Sequence, residues 1–220
     1  MARKPKGEVI RLGGLKRPMP PADLCEPLPP WRFVPAVELT EWLMAVFVSE
    51  SGLLANPEHA HLRQANIACL WANRPLVVKM NRAVAMAEIP QPRGNAWTAG
   101  RAEQQLEDWF GCEPDFLLTF DTVWWAEADD ASACATVEHE LFHCGQQRDV
   151  FGAPKFGQDG RPTFGIRGHD VEEFVGVVQR YGVGHAAGRT VDLVRAANSA
   201  PTIAPALIGA ACGTCCRKMA

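Results

Sequence analysis

The segment His139-Glu140-Leu141-Phe142-His143 constrains this chain more than any other. Two imidazoles four residues apart share a face only where the backbone is helical, because i and i+4 then stand one above the other. The acidic stretch Glu127, Asp129, Asp130 supplies a start signal. Asp130 is the predicted N-cap, and the carboxylates suit the positive end of a helix beginning near Ala131. The helix is predicted to run to about Cys144 or Gly145, followed by a Gly- and Pro-rich loop over roughly 145–168. On such a helix both imidazoles reach one metal ion. Zinc suits them, because it accepts neutral imidazole and tolerates an open tetrahedral position. Glu140, beside the first histidine, is placed to take a proton from an attacking water and pass it to a leaving amine. The bland alternative is a helix that carries two unrelated histidines.

A catalytic zinc needs a third protein ligand. The candidates lie in Gly168-His169-Asp170-Val171-Glu172-Glu173-Phe174. His169 comes 26 residues after His143, just before a helix predicted to start near Asp170. With Val171, Phe174, Val175 and Val178 as the buried stripe, Glu172 points away, while Asp170 and Glu173 flank it. Asp170 and Glu173 also have capping-box spacing, which gives them a structural role. His169 is therefore the leading third ligand, with Glu173 and Asp170 as alternatives. An unused carboxylate there could orient a ligand imidazole.

Two stretches carry a family resemblance. Thr136 to Gln146 (TVEHELFHCGQ) and residues 168–182 (GHDVEEFVGVVQRYG) resemble the phage metallopeptidase domain family of bacteriophages and prophages, over about 36–182. The arrangement is more distantly similar to SprT-like zinc proteases, in which a third histidine opens a helix with an aromatic a few residues on. Here the spacer is longer, and five residues separate His169 from Phe174. The resemblance implies an α+β, zincin-like minimal metallopeptidase domain. It would have a small sheet, an HExxH active-site helix and a following metal-ligand helix. It also implies a zinc cofactor and a protein or peptide substrate. His139, Glu140 and His143 carry over directly; His169 carries over as the third ligand.

The rest of the chain sets the frame. Its 220 residues are 47% hydrophobic and 21% charged, an ordinary globular composition. No run reaches the ~18 apolar residues of a membrane helix. No apolar segment follows the basic N-terminus as a secretory leader would require. The eight cysteines show no framework spacing, so they read as reduced thiols in a cytoplasmic compartment. The first 17 residues hold six basic groups against Glu8, while the net charge is −3. A solvated tail is the plain reading; a tether to nucleic acid, serving a protease of DNA-bound proteins, is the alternative. The acidic body argues against an extended DNA-binding face. A non-catalytic zinc-stabilised module is a further alternative.

Domain organisation is read as a basic, Pro-rich flexible tail (1–35), a metallopeptidase domain (36–185) and an Ala- and Gly-rich flexible tail (186–220). Leu39, Trp42, Leu43, Val46 and Phe47 predict a helix, His59–Ala72 a second, and Ala102–Phe110 a third. Residues 76–89 predict an extended pair. Asp115–Trp125 predicts a strand with Phe116, Leu118, Phe120, Thr122 and Trp124 on one face. At a sheet edge it would pair with an extended peptide. One of Trp124 and Trp125 is expected in the core. His59 and His61 read as surface residues, His185 as an exposed loop residue. Tyr181 reads as a packing residue, with steadying an oxyanion as its alternative. Cys212, Cys215 and Cys216 read as an unstructured thiol tail.

Overall fold

The computed structural model describes residues 12, 15–26, 30–78, 81–171, 189–206 and 211–212. In chain order its main elements are β1 (Phe33–Pro35), α1 (Val37–Leu43) running into a π-helical turn (Met44–Val48), and a 3-10 segment (Pro57–Gln64). There follow β2 (Ile67–Ala72), β3 (Leu76–Val78), β4 (Asn81–Glu88), α2 (Ala96–Phe110), β5 (Phe116–Asp121) and α3 (Thr122–Glu127). Next come α4 (Asp130–His143), β6 (Cys144–Gln146), β7 (Phe164–Ile166), a helix over Arg189–Ala197 and the short strand β8 (Ala211–Cys212).

The sheet runs β1-β2-β5-β4-β3, with β8 also on β4. Only the β2–β5 and β4–β8 pairings are parallel. Strand side chains alternate between faces, and each face of this sheet has its own cover. Ile67, Cys69 and Trp71 of β2 and Phe116, Leu118 and Phe120 of β5 join Leu39, Leu43 and Phe47, and Val137 and Leu141 of α4, in the main core. The alternate residues Ala68, Leu70 and Leu117 meet Leu106, Trp109 and Phe110 of α2 on the other face. The result is a three-layer α+β arrangement. Trp125 is fully buried at its centre, its ring edge-on to Trp71 at 5.3 Å and Phe120 at 5.4 Å.

Local signals explain the element ends. Asn95 caps α2, its side-chain oxygen accepting from the backbone N–H of Trp97 and Thr98. Gly111 closes that helix at φ +70°, a conformation glycine adopts without strain. Asp129, not Asp130, caps α4: its carboxylate accepts from Ser132 N–H and from Ser132 Oγ, both at 2.8 Å. These bonds hold the Asp129 carboxyl below its ordinary range.

Several expectations are corrected. The helix expected over His59–Ala72 is a 3-10 segment followed by β2. All six residues of β2 are buried, and a strand covered on both faces gives the same unbroken apolar run as a buried helix. The strand expected to reach Trp125 stops at Asp121, whose carboxylate accepts from Val123 N–H and starts α3. β5 lies between β2 and β4, so it is not an edge strand that could pair with a peptide. His59 is buried at 1% exposure rather than on the surface. His61 is half-buried, its Nε2–H donating to the Cys144 carbonyl at 2.7 Å.

The Pro-rich segment expected as linker contributes buried Leu24 and β1. Its Pro18 carbonyl accepts from Trp125 Nε1–H at 2.9 Å. Residues 189–197, expected to be loose, are helical. The helix α2 begins six residues before the expected Ala102. The extended pair over 76–89 is the β3–β4 hairpin. Glu173, Tyr181, His185, Cys215 and Cys216 lie outside the described residues, as does most of the helix expected from Asp170. Among the described residues no helix is long and apolar enough to cross a membrane.

Candidate metal centre

The site is assembled by one helix and one hairpin. On α4, Val137 and Leu141 face the core, which leaves His139 and His143, four residues apart, on a shared flank where His143 is buried. The helix ends at His143, and the chain passes directly into β6. β6 pairs antiparallel with β7 in the register Cys144↔Ile166, Gly145↔Gly165, Gln146↔Phe164. This return brings Arg167 back to the helix end. The Arg167 N–H donates to the His143 carbonyl at 2.9 Å. In turn His143 Nδ1–H donates to the Arg167 carbonyl at 2.6 Å. A carbonyl can only accept, so the proton sits on Nδ1 and the His143 Nε2 presents a lone pair.

Two residues on, His169 meets the helix. His139 Nε2 lies 3.2 Å from His143 Nε2 and 3.2 Å from His169 Nε2. Nitrogens of all three rings fall within 4.8 Å of one another, so this triad could hold a metal ion. One His139 Nε2 has at most one proton for two neighbours, and a shared cation satisfies all three nitrogens at once. Burial, then the neighbouring His143 and His169, push the His139 pKa down to about 4. The ring is therefore neutral at ordinary pH, the form that ligates metals.

Glu140 is one residue from His139 and 1% exposed. Asp170 is engaged elsewhere: one oxygen accepts from Arg167 Nη2 at 2.8 Å, the other from Arg189 Nη2 at 3.0 Å. These guanidinium groups hold its carboxyl below the usual range. Cys144, next to His143, donates its thiol to the Glu140 carbonyl, and burial pushes its pKa well up. A thiol kept protonated is a poor metal ligand.

A small cavity of about 190 Å³ opens at the triad and also touches Phe142, Arg167 and Asp170. The same three residues border a larger cleft of about 630 Å³, whose walls include Glu58, His61, Gln146 and Arg148. Sequence reasoning missed Arg167 and His61. Arg167 fixes His143 through its backbone, which any residue carries, so its side-chain type gave no sign of that role. His61 holds the first residue of β6 from a segment far away in the chain.

The family model Putative phage metallopeptidase matches residues 40–198. The chain belongs to this family. The match takes in α4, the β6–β7 hairpin and His169. No curated protein and no solved structure matches the chain. As a phage metallopeptidase family member, it is assigned a metal-dependent peptidase function, with a metal cofactor and protein or peptide substrates.

Proposed function

We propose that this family member is a zinc-dependent peptidase in which His139, His143 and His169 hold the metal and Glu140 is the general base. One observation carries the reading: the two Nε2 separations of 3.2 Å. Ligand nitrogens about 2.0–2.1 Å from a tetrahedral zinc stand roughly 3.3 Å apart, which both of these separations match. Three nitrogen ligands leave the fourth position for a reactant, as in catalytic sites. Zinc, when bound, supplies a Lewis acid that polarises a carbonyl and acidifies water.

The chain's own residues do the rest. His143 is locked in its Nδ1–H tautomer by the Arg167 carbonyl. Glu140 takes the proton of the attacking water at a carboxylate oxygen and delivers it to the departing amine nitrogen. Its burial keeps bulk water from competing for that carboxylate. Asp170, with both oxygens on arginines, serves to orient the loop that carries His169 rather than to ligate. Five described cysteines are free thiols, three of them buried, in keeping with a reducing cytoplasmic setting.

The tether to nucleic acid has less behind it. Arg17, one of the six basic residues, is spent inside the fold: it pairs with Asp130 at 3.0 Å, donates to the Trp125 and Ala128 carbonyls and lies over the Trp125 ring.

The test is Glu140→Gln. The variant is expected to keep one zinc per chain and its melting temperature, and to lose peptide hydrolysis by on the order of 10²-fold or more. Equal cleavage by wild type and variant overturns the assignment of the base. Tight zinc in a closed four-ligand site with no cleavage by either protein makes this a structural module instead.

A further inference from the structure

The chain between β6 and β7 is long but ordered. Lys155 N–H donates to the Gln147 carbonyl and Thr163 N–H to the Lys155 carbonyl, so the segment folds back on itself twice. Its two turns are closed by side chains as well as backbone. At the first, the Asp149 carboxylate accepts from Phe151 N–H and Ala153 N–H, both at 2.9 Å. Arg148 Nη1 donates to the Gly152 carbonyl at 2.7 Å, and Gly152 takes φ +83°. At the second, the Asp159 carboxylate accepts from Arg161 N–H at 3.0 Å. The arm is anchored to the body by Arg161, which reaches the Gln64 carbonyl and Asp115.

This arm holds large apolar residues out in water. Val150 is 92% exposed and Phe151 91%; Phe156, further along, is 56% exposed. Adjacent exposed apolar residues on a fixed turn are the form of an anchor for a partner. The base of the arm, at Gln146, Gln147, Arg148 and Pro154, is one wall of the 630 Å³ cleft that shares Phe142, Arg167 and Asp170 with the cavity at the histidine triad. The arm thus joins the exposed tip to the rim of that cleft.

We infer that the arm over 147–163 is a capture site for polypeptide substrates, its Val150–Phe151 tip gripping exposed apolar segments of unfolded chains. The inference rests on the peptidase reading for what happens after capture, but not for capture itself. Protein is favoured over lipid by charge. Arg148 and Lys155 are matched along the arm by Asp149 and Asp159, and the arm's third cation, Arg161, is paired with Asp115 of the body, whereas a surface that meets anionic membranes carries a free basic excess. Apolar side chains of a polypeptide need no such excess, only the desolvated contact that an aromatic tip offers.

The experiment measures capture without turnover. The full-length, zinc-loaded Glu140→Gln protein is titrated against a fluorescein-labelled, reduced and carboxymethylated lactalbumin, a permanently unfolded chain, by fluorescence anisotropy. Adding Val150→Ser with Phe151→Ser is expected to weaken the affinity about tenfold or more. Phe151→Trp is expected to retain it. Circular dichroism and melting temperature are expected to stay unchanged, because both side chains are outside the core. Absence of binding by the parent protein, or equal binding by the double-serine variant, overturns the inference. So does tip-dependent binding to phosphatidylglycerol vesicles in place of the unfolded chain, which would make the tip a lipid anchor. If capture depends on the tip but no peptide is ever cleaved, the inference stands and the peptidase reading falls. If peptides are cleaved but capture ignores the tip, the reverse holds.

Discussion

His59 offers the sharpest test of the packing around the metal helix. Its side chain is 1% exposed, with its ring edge-on to Phe142 at 4.8 Å. Its buried Nε2 has no hydrogen-bond partner. The nearest carboxylate oxygen, Glu138 Oε1, is 4.0 Å away and already accepts from Asn56 Nδ2 at 2.9 Å. Burial therefore outweighs that attraction, and with the like charges of His61 and Arg167 it pushes the His59 pKa from 6.5 down to about 4. The sign follows. The folded state binds the proton more weakly than the unfolded chain, so stability is fully present above pH 6.5 and is lost as the pH falls from 6.5 towards 4. At 1.36 kcal/mol per pKa unit, this one group removes about 2 kcal/mol between pH 7 and pH 5. The perturbation is His59→Leu, which keeps an apolar body against Phe142 and removes the unpartnered nitrogen. Guanidinium unfolding of both proteins in EDTA, at pH 7 and pH 5, isolates the difference, because every other side chain is common to the two. The leucine variant is expected to lose about 2 kcal/mol less than wild type over that interval. Equal losses would refute the claim that His59 is held neutral by burial.

Two further outcomes are expected. His169→Ala should lose zinc on dialysis against a competing chelator, while Asp170→Asn should keep one zinc with affinity lowered by about tenfold, the cost of disturbing an orienting contact; metal analysis decides, and the opposite pattern makes the carboxylate the third ligand. Gly52→Ala should cost about 2–3 kcal/mol, seen as a melting temperature lowered by about 5–10 °C, because a Cβ there would lie 2.4 Å from the Val46 carbonyl oxygen and 2.6 Å from that of Ala45, both fixed in the π-helical turn.

The legible parts of this fold are those where pattern and environment agree. The alternation Phe116, Leu118, Phe120 could be read from sequence because β5 separates two different covers, and the i, i+4 pair His139 and His143 because only a helix makes that spacing useful. β2 misled for the opposite reason. Ile67 to Ala72 is buried on both faces, so its residues carry no period that tells a strand from a helix. The end of β5 was hidden because Asp121 plays two parts at once. It is the last residue of the strand and, by capping Val123, the start of α3. Its second oxygen accepts from Arg82 at 2.5 Å, a contact across the sheet that local sequence cannot announce. The Pro-rich segment reads as linker because prolines forbid ladder donors. Leu24 and Trp125 nevertheless draw it in, the one by burial and the other by donating to Pro18.

The candidate metal centre divides along the same line. Its two helical histidines are a local property; the position of His169 is not. In sequence, 26 residues separate it from His143, a span that says nothing about distance. In the fold, Ile166 stands beside Cys144, and only three residues then lead to His169. The long insertion between β6 and β7 therefore leaves the site geometry untouched, because pairing of its two ends sets that geometry. The pairing in turn depends on small residues. A Cβ on Gly145 would come within 3.1 Å of both the Gly165 carbonyl oxygen and the Arg167 Cβ, and one on Gly165 within 2.9 Å of Gln147 Cγ. A one-residue slip in this register would reverse which residues face α4 and withdraw the Arg167 carbonyl from His143. Two closely packed glycines and a backbone carbonyl thus contribute to the site alongside the histidines. The arm between them carries Val150 and Phe151 at its tip.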